Sequence, residues 1–134
     1  MTALDSSVVV PALTQWHEAH EPARLAAAGA SVPAHALIES YAVLTRLPGP
    51  HRLSPEVAAE LLDAWFPPEL VLHPKASLAA RLPARLAAAG VSGGATYDAL
   101  VGLTAAEQGQ ELRTRDRRAE VTYKLLGIPY ALVG

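Results

Sequence analysis

The chain has 134 residues, enough for one domain that buries a core without staples of metal or disulfide. With no cysteine it excludes disulfides, thiol catalysis and Cys-based zinc sites, so any metal must be held by oxygen or imidazole. A formal net charge of -2 excludes the global basic field of many nucleic-acid binders, although "LRTRDRR" gathers Arg113, Arg115, Arg117 and Arg118 and "RLPGPHR" adds Arg46 and Arg52.

In chain order, "MTAL" reads as a short strand, and "SSVVVPAL" as a helix whose serines can cap it. "HEAHEPARLAAAG" has helical spacing and closes on Gly29, suited to the left-handed residue after a helix. "ASVPA" reads as a buried strand. "HALIESYAVLTRL" carries apolar residues at 37, 38, 41, 44 and 47, a helical period stopped by "PGP". "SPEVAAELLDAWF" opens with Ser54 as cap, Pro55 in the first position and Glu56 in the first turn. A strand "ELVLHP" follows, then a helix "ASLAARLPARLAAAG" expected to kink at Pro83. A helical run begins at Thr96, "QELRTRD" reads as a strand, "RRAEVTYKLLG" as a helix ending at Gly127, and "IPYALVG" as a last strand. Such alternation predicts an α/β sandwich with a mainly parallel sheet of about five strands and helices on both faces. The repeated "PARLAAAG" at 22–29 and 83–90 is not taken as a duplication, because its flanks differ.

Most acids have ordinary explanations: Glu18, Glu21, Glu56, Glu60, Asp63 and Glu107 fall on polar helix faces. Asp5, Asp98 and Asp116 differ, each sitting where an apolar or strand-like stretch hands over to a helix, and Glu39 lies within the first turn or so of its own. Helix capping and the macrodipole explain each of these alone. Their joint placement is another matter, since strand ends that feed helices share the carboxyl edge of a parallel sheet, where α/β proteins bind ligands. Two carboxylates about 4 Å apart repel by roughly 4 kcal/mol at an effective dielectric near 20. A hard cation, Mg²⁺ or Mn²⁺, reverses that sign and points to a phosphodiester substrate.

"LDSSVVV", "HALIESYAVLTRLPG", "TYDALVGLTAAEQG" and "LRTRDRRAEVTYKLLGI", in this order, resemble the PIN-domain ribonucleases, specifically the VapC toxins of bacterial VapBC toxin-antitoxin pairs. The resemblance runs through essentially the whole chain and implies one PIN domain over residues 1–134, a three-layer α/β/α sandwich. It implies a Mg²⁺-dependent endoribonuclease (Mn²⁺ as substitute) with Asp5, Glu39, Asp98 and Asp116 as the acidic quartet. Asp5 and Asp98 would be direct metal ligands. Ser6 and Thr114 match positions whose hydroxyls orient a carboxylate or phosphate. Relatives often carry an aromatic or a further acid after the last Asp, where Arg117 and Arg118 stand here. The resemblance also implies a VapB-type antitoxin seated in a hydrophobic groove on the early helices, an RNA substrate such as tRNA or rRNA, and a homodimer.

Two rivals are a catalytically silent PIN fold serving only as a binding partner, and a phosphoacceptor receiver domain, which fails because the only lysines are Lys75 and Lys124. Arg46, two turns past Glu39, is expected on the same helix face and in reach of RNA; Arg115 or Arg117 beside Asp116 is expected to contact RNA as well. Among the histidines "HEAH" has the wrong spacing for a zinc helix; only His35, one turn before Glu39, stands near a candidate acid. Trp16, Trp65 and Phe66 read as core or interface anchors on amphipathic helices. A 51% hydrophobic composition predicts a partner or dimer, and no run approaches the roughly 18 apolar residues of a membrane span, so a cytosolic protein is expected.

Overall fold

The structure, a computed structural model, describes residues 1–134. Twelve elements follow in order: β1 (Thr2–Leu4), α1 (Ser6–Leu13), α2 (His20–Ala27), β2 (Val32–Pro33), α3 (Ala34–Leu44), α4 (Pro55–Trp65), β3 (Val71–Leu72), α5 (Ala76–Ala89), α6 (Ala95–Glu107), β4 (Glu111–Thr114), α7 (Glu120–Leu125) and β5 (Tyr130–Leu132). Every strand pairing is parallel. β1–β4–β5 form one ladder and β2–β3 another; the Ala3–Ser31 bridge joins them, giving the spatial order β3-β2-β1-β4-β5. Leu4 N donates to Ser31 O at 3.0 Å and Ser31 N to Thr2 O at 2.9 Å across that seam. The order in which successive strands are laid down therefore reverses beside β1, and the crevice between the ends of β1 and β4 is the topological switch point.

Ala3, Leu4, Val32 and Leu112 are fully buried, as both-face burial of a parallel sheet requires. One hydrophobic core joins them to Val8, Leu44 and Phe66. The two copies of "PARLAAAG" end α2 and α5, and both stop on a glycine of positive φ, Gly29 at 72° and Gly90 at 74°.

Several boundaries differ from expectation. α2 begins at His20 rather than His17, because residues 15–19 form turns in which Ala19 N donates to His17 Nδ1; Glu18 and Trp16 therefore lie off any helix. α5 runs unbroken through Pro83. α7 starts only at Glu120, since Asp116 Oδ1 accepts Arg118 N at 3.0 Å and holds the arginines in a turn. α3 ends at Leu44, leaving Leu47 outside it. Its buried face is Ala36, Ser40 and Leu44, small residues that let it pack closely, while Ile38 and Tyr41 are 64% and 37% exposed. The large apolar stripe of α3 instead lines an open groove of about 450 Å³ against α4 and β3, floored by Leu62, Phe66 and Val71.

Candidate active site

Asp5 directly follows β1 and caps α1, its side chain accepting Ser7 N at 3.0 Å. Asp116 lies two residues beyond the end of β4, the strand paired with β1, so these two acids flank the switch-point crevice. Glu39 is the sixth residue of α3, in its second turn rather than its first, on the helix that leaves β2. Asp98 lies in the first turn of α6, but α6 is fed by α5 and a Gly-containing loop, not by a strand. The expected strand-to-helix hand-over thus holds for Asp5, loosely for Asp116, and fails for Asp98, which reaches the crevice because α6 packs against α3 and β4.

Hydroxyl groups fix the Asp5 carboxylate. Ser7 Oγ donates to Oδ1, and the fully buried Tyr123 hydroxyl donates to Oδ2 at 2.9 Å. Ser7 Oγ also accepts Arg115 N at 2.7 Å and lies 3.3 Å from Thr114 Oγ1, which in turn accepts Asp116 N at 3.0 Å. A continuous chain of hydrogen bonds therefore ties Asp5 to the backbone that carries Asp116. Ser7 holds this position rather than the expected Ser6. Both serines follow Asp5, and only the observed cap geometry, with the second amide past Asp5 donating back to it, selects between them. In the sequence Tyr123 is one residue of a short helix, and nothing local places it under Asp5.

Packing of α6 against α3 and β4 leaves the four acids close enough for their charges to interact. Burial lifts the Asp98 carboxyl to about 6, and the charges of Asp116, Asp5 and Glu39 add to the rise, opposed by Arg118. Burial also raises Glu39, with His35 lowering it and Asp5 raising it. Asp5 is only 7% exposed and is likewise raised by burial, drawn back by the hydroxyls of Ser7, Thr114 and Tyr123. Burial and the Asp5 charge hold the Tyr123 phenol in its neutral, donating form. As the side chains stand, no three of the His, Asp and Glu groups form a ready ligand cage. Mutual repulsion favours such spreading, and the charge of each of the other three carboxylates is felt at Asp98. An all-carboxylate donor set of this kind suits a hard, oxygen-seeking divalent cation; Asp5 Oδ1 is occupied by Ser7 N and Ser7 Oγ, whereas Oδ2, with Tyr123 as its one donor, retains a free lone pair.

Thr114 falls in the network as expected. Arg46 does not share a helix face with Glu39, for it lies past the end of α3 and is exposed. Arg115 is half-buried and runs toward Pro22 and Gly134, its Nε without a partner. Arg117 is exposed beside Asp116. Arg118, not among the expected contacts, pairs with Asp116 at 3.6 Å with a 95% exposed side chain. Trp16 is exposed and stacks on His51, Trp65 is half-buried, and Phe66 is core.

Fold and site together define an all-parallel α/β protein with an acidic crevice at its switch point. A family model described as PIN domain matches residues 2–125, and the chain belongs to the PIN-domain family. It is 47% identical to Ribonuclease VapC40 of Mycobacterium tuberculosis over 135 residues, covering 99% of both chains. It is 46% identical to Ribonuclease VapC27 of the same organism over 128 residues, covering 94% of this chain and 92% of the other. Among solved structures, a chain in the structure of FitAB bound to IR36 DNA fragment superposes with TM-score 0.69 at 15% identity, covering 98% of this chain and 94% of that one, a likeness of fold.

Proposed function

We propose that this chain, as one domain over residues 1–134, is the endoribonuclease toxin of a VapBC-type pair and hydrolyses RNA phosphodiester bonds at the acidic crevice. The observation that carries the reading is the hydrogen-bond chain that ties Asp5 to the backbone of Asp116 at the β1/β4 switch point, with Asp98 and Glu39 near enough for their charges to join it. The VapC relatives, named as ribonucleases and matching nearly end to end, support it.

Asp5 and Asp98 would hold the metal, Mg²⁺ with Mn²⁺ as substitute, with Glu39 and Asp116 completing the site directly or through water. Such an ion, when bound, neutralises phosphate charge and makes water a nucleophile near neutral pH. The protein's own residues do the rest. Ser7 and Tyr123 hold the plane of the Asp5 carboxylate, and Thr114 sets the turn that aims Asp116. Arg117 and Arg118, exposed at the crevice edge, take RNA phosphates, which positions the strand without reading its sequence. His35, 3.9 Å from Glu39, damps the rise in that carboxyl's pKa.

The partner in this reading is a VapB-type antitoxin, and the apolar groove between α3 and α4 fits an amphipathic helix of it. A homodimer acting in the cytoplasm completes the proposal; no helix here is long and apolar enough to cross a membrane. Purified protein should cleave RNA with Mg²⁺ or Mn²⁺ and stop on addition of EDTA. An intact RNA panel under those conditions would favour a silent PIN-fold binder instead.

A further inference from the structure

We propose that His35 and Tyr97 form a stacking platform for a nucleobase at the rim of the acidic crevice, holding a base next to the scissile phosphate of single-stranded RNA. This rests on the ribonuclease reading above and adds to it the place where a flanking nucleotide is gripped. The two rings lie with centroids 5.0 Å apart and planes 4° apart. That near-parallel, offset arrangement is one aromatic rings favour, and it leaves a flat π-face able to take a third ring. Tyr97 is 53% exposed, so its ring does little core packing. His35 lies one turn before Glu39 on α3, with Nε2 3.9 Å from Glu39 Oε2, and Tyr97 immediately precedes Asp98 on α6. The stack therefore bridges the two helices that carry two of the four acids.

Position separates this pair from the other exposed aromatic stack. Trp16 and His51 also stack, at 4.1 Å, but they sit on a turn after α1 and a turn after α3, and neither segment carries a site acid. Arg117 and Arg118, exposed beside Asp116, supply charge for phosphates. A base on Tyr97 and phosphates on the arginines would stretch the strand over the carboxylates. Every base offers a π-face, so the platform contributes grip rather than sequence preference.

The test is steady-state cleavage of a short fluorescent RNA with a mapped cleavage site, alongside the same RNA made abasic at the nucleotides flanking that site. Wild type, Tyr97→Ala and Tyr97→Phe are compared, with thermal melts as a folding control. Tyr97→Ala should raise KM about tenfold with a smaller change in kcat, and Tyr97→Phe should restore most of that loss. The abasic RNA should raise KM for wild type and add little for Tyr97→Ala. An abasic penalty of equal size in both proteins overturns the platform while leaving the ribonuclease reading intact. A wild type that neither cleaves nor binds RNA overturns both. If Tyr97→Ala leaves RNA kinetics unchanged but weakens inhibition by the antitoxin, the ring serves a peptide side chain and the proposal falls.

Discussion

Asp5 takes Ser7 N on one side of its carboxylate and the Tyr123 hydroxyl on the other, so a helix cap and a buried phenol fix the same group. Removing only the phenol oxygen, Tyr123→Phe, keeps the ring in the core and frees Oδ2 to rotate. We expect a stability loss of about 1 kcal/mol and a loss of metal affinity or activity of roughly 10- to 100-fold, measured by denaturant unfolding and by Mn²⁺ calorimetry. Unchanged metal affinity would reduce Tyr123 to a packing residue. Asp5 itself was legible in the sequence because an acid beside a short apolar strand is conspicuous. The groups that orient it were not, because Tyr123 is 118 residues away and meets Asp5 only after α7 has packed beside α6.

α6 and α3 carry Asp98 and Glu39 to the crevice, and each does so by a feature that periodicity alone does not display. Gly102, one turn past Asp98, lies where α6 meets α7: a Cβ there would stand 2.7 Å from Ile128 Cδ1 and 3.2 Å from both Ile128 Cγ2 and the Tyr123 ring. Ile128 Cδ1 can swing aside, but the ring must shift. Gly102→Ala should therefore forfeit the ~1 kcal/mol that alanine gains in a helix, leave net stability level or about 1 kcal/mol lower, and weaken Mn²⁺ binding by moving Tyr123. On α3 the 3.6-residue spacing correctly marked a helix, yet the large residues at that spacing line the groove and the small ones face the core. Spacing identifies a face; it does not say which neighbour covers it. Ile38→Glu, at an exposed groove position, should leave the melting curve within about 0.5 kcal/mol of wild type and abolish capture of a co-expressed antitoxin. Retained capture would place the antitoxin elsewhere. Asp98 shows the complementary lesson, since its place beside Asp5 comes from helix packing and not from the strand that the sequence pattern implied.

Across the whole molecule, the alternation of short strand-like stretches and helices was enough to reveal a parallel sheet of five strands; β1 shows both-face burial in Ala3 and Leu4, whereas β4 alternates half-buried Glu111 and Arg113 with buried Leu112 and Thr114. The ends of elements were less legible. β3 shrinks to two residues because Pro68–Leu70 form a 3-10 turn before it, and α7 to six because Asp116 holds a turn that propensity does not reveal. The same gathering of acids makes stability depend on pH. The folded Asp98 carboxyl keeps its proton to about pH 6, whereas an ordinary one releases it near 3.8. Between those values the folded state binds more protons, so stability falls as pH rises through the window. In EDTA, the melting temperature should therefore rise on acidification from pH 7 to pH 5, a gain that Asp98→Asn flattens. Mn²⁺ should stabilise the wild type more at pH 7 than at pH 5, as competition with protons requires.

RNA cleavage by wild type and Asp98→Asn, followed as Mg²⁺ is titrated, tests most directly whether the four carboxylates act as one metal-dependent site. We expect wild-type cleavage to rise saturably with Mg²⁺ and vanish in EDTA, and the variant to lose at least about a hundredfold in rate at every Mg²⁺ concentration. An Asp98→Asn protein that cleaves as fast as wild type would contradict it.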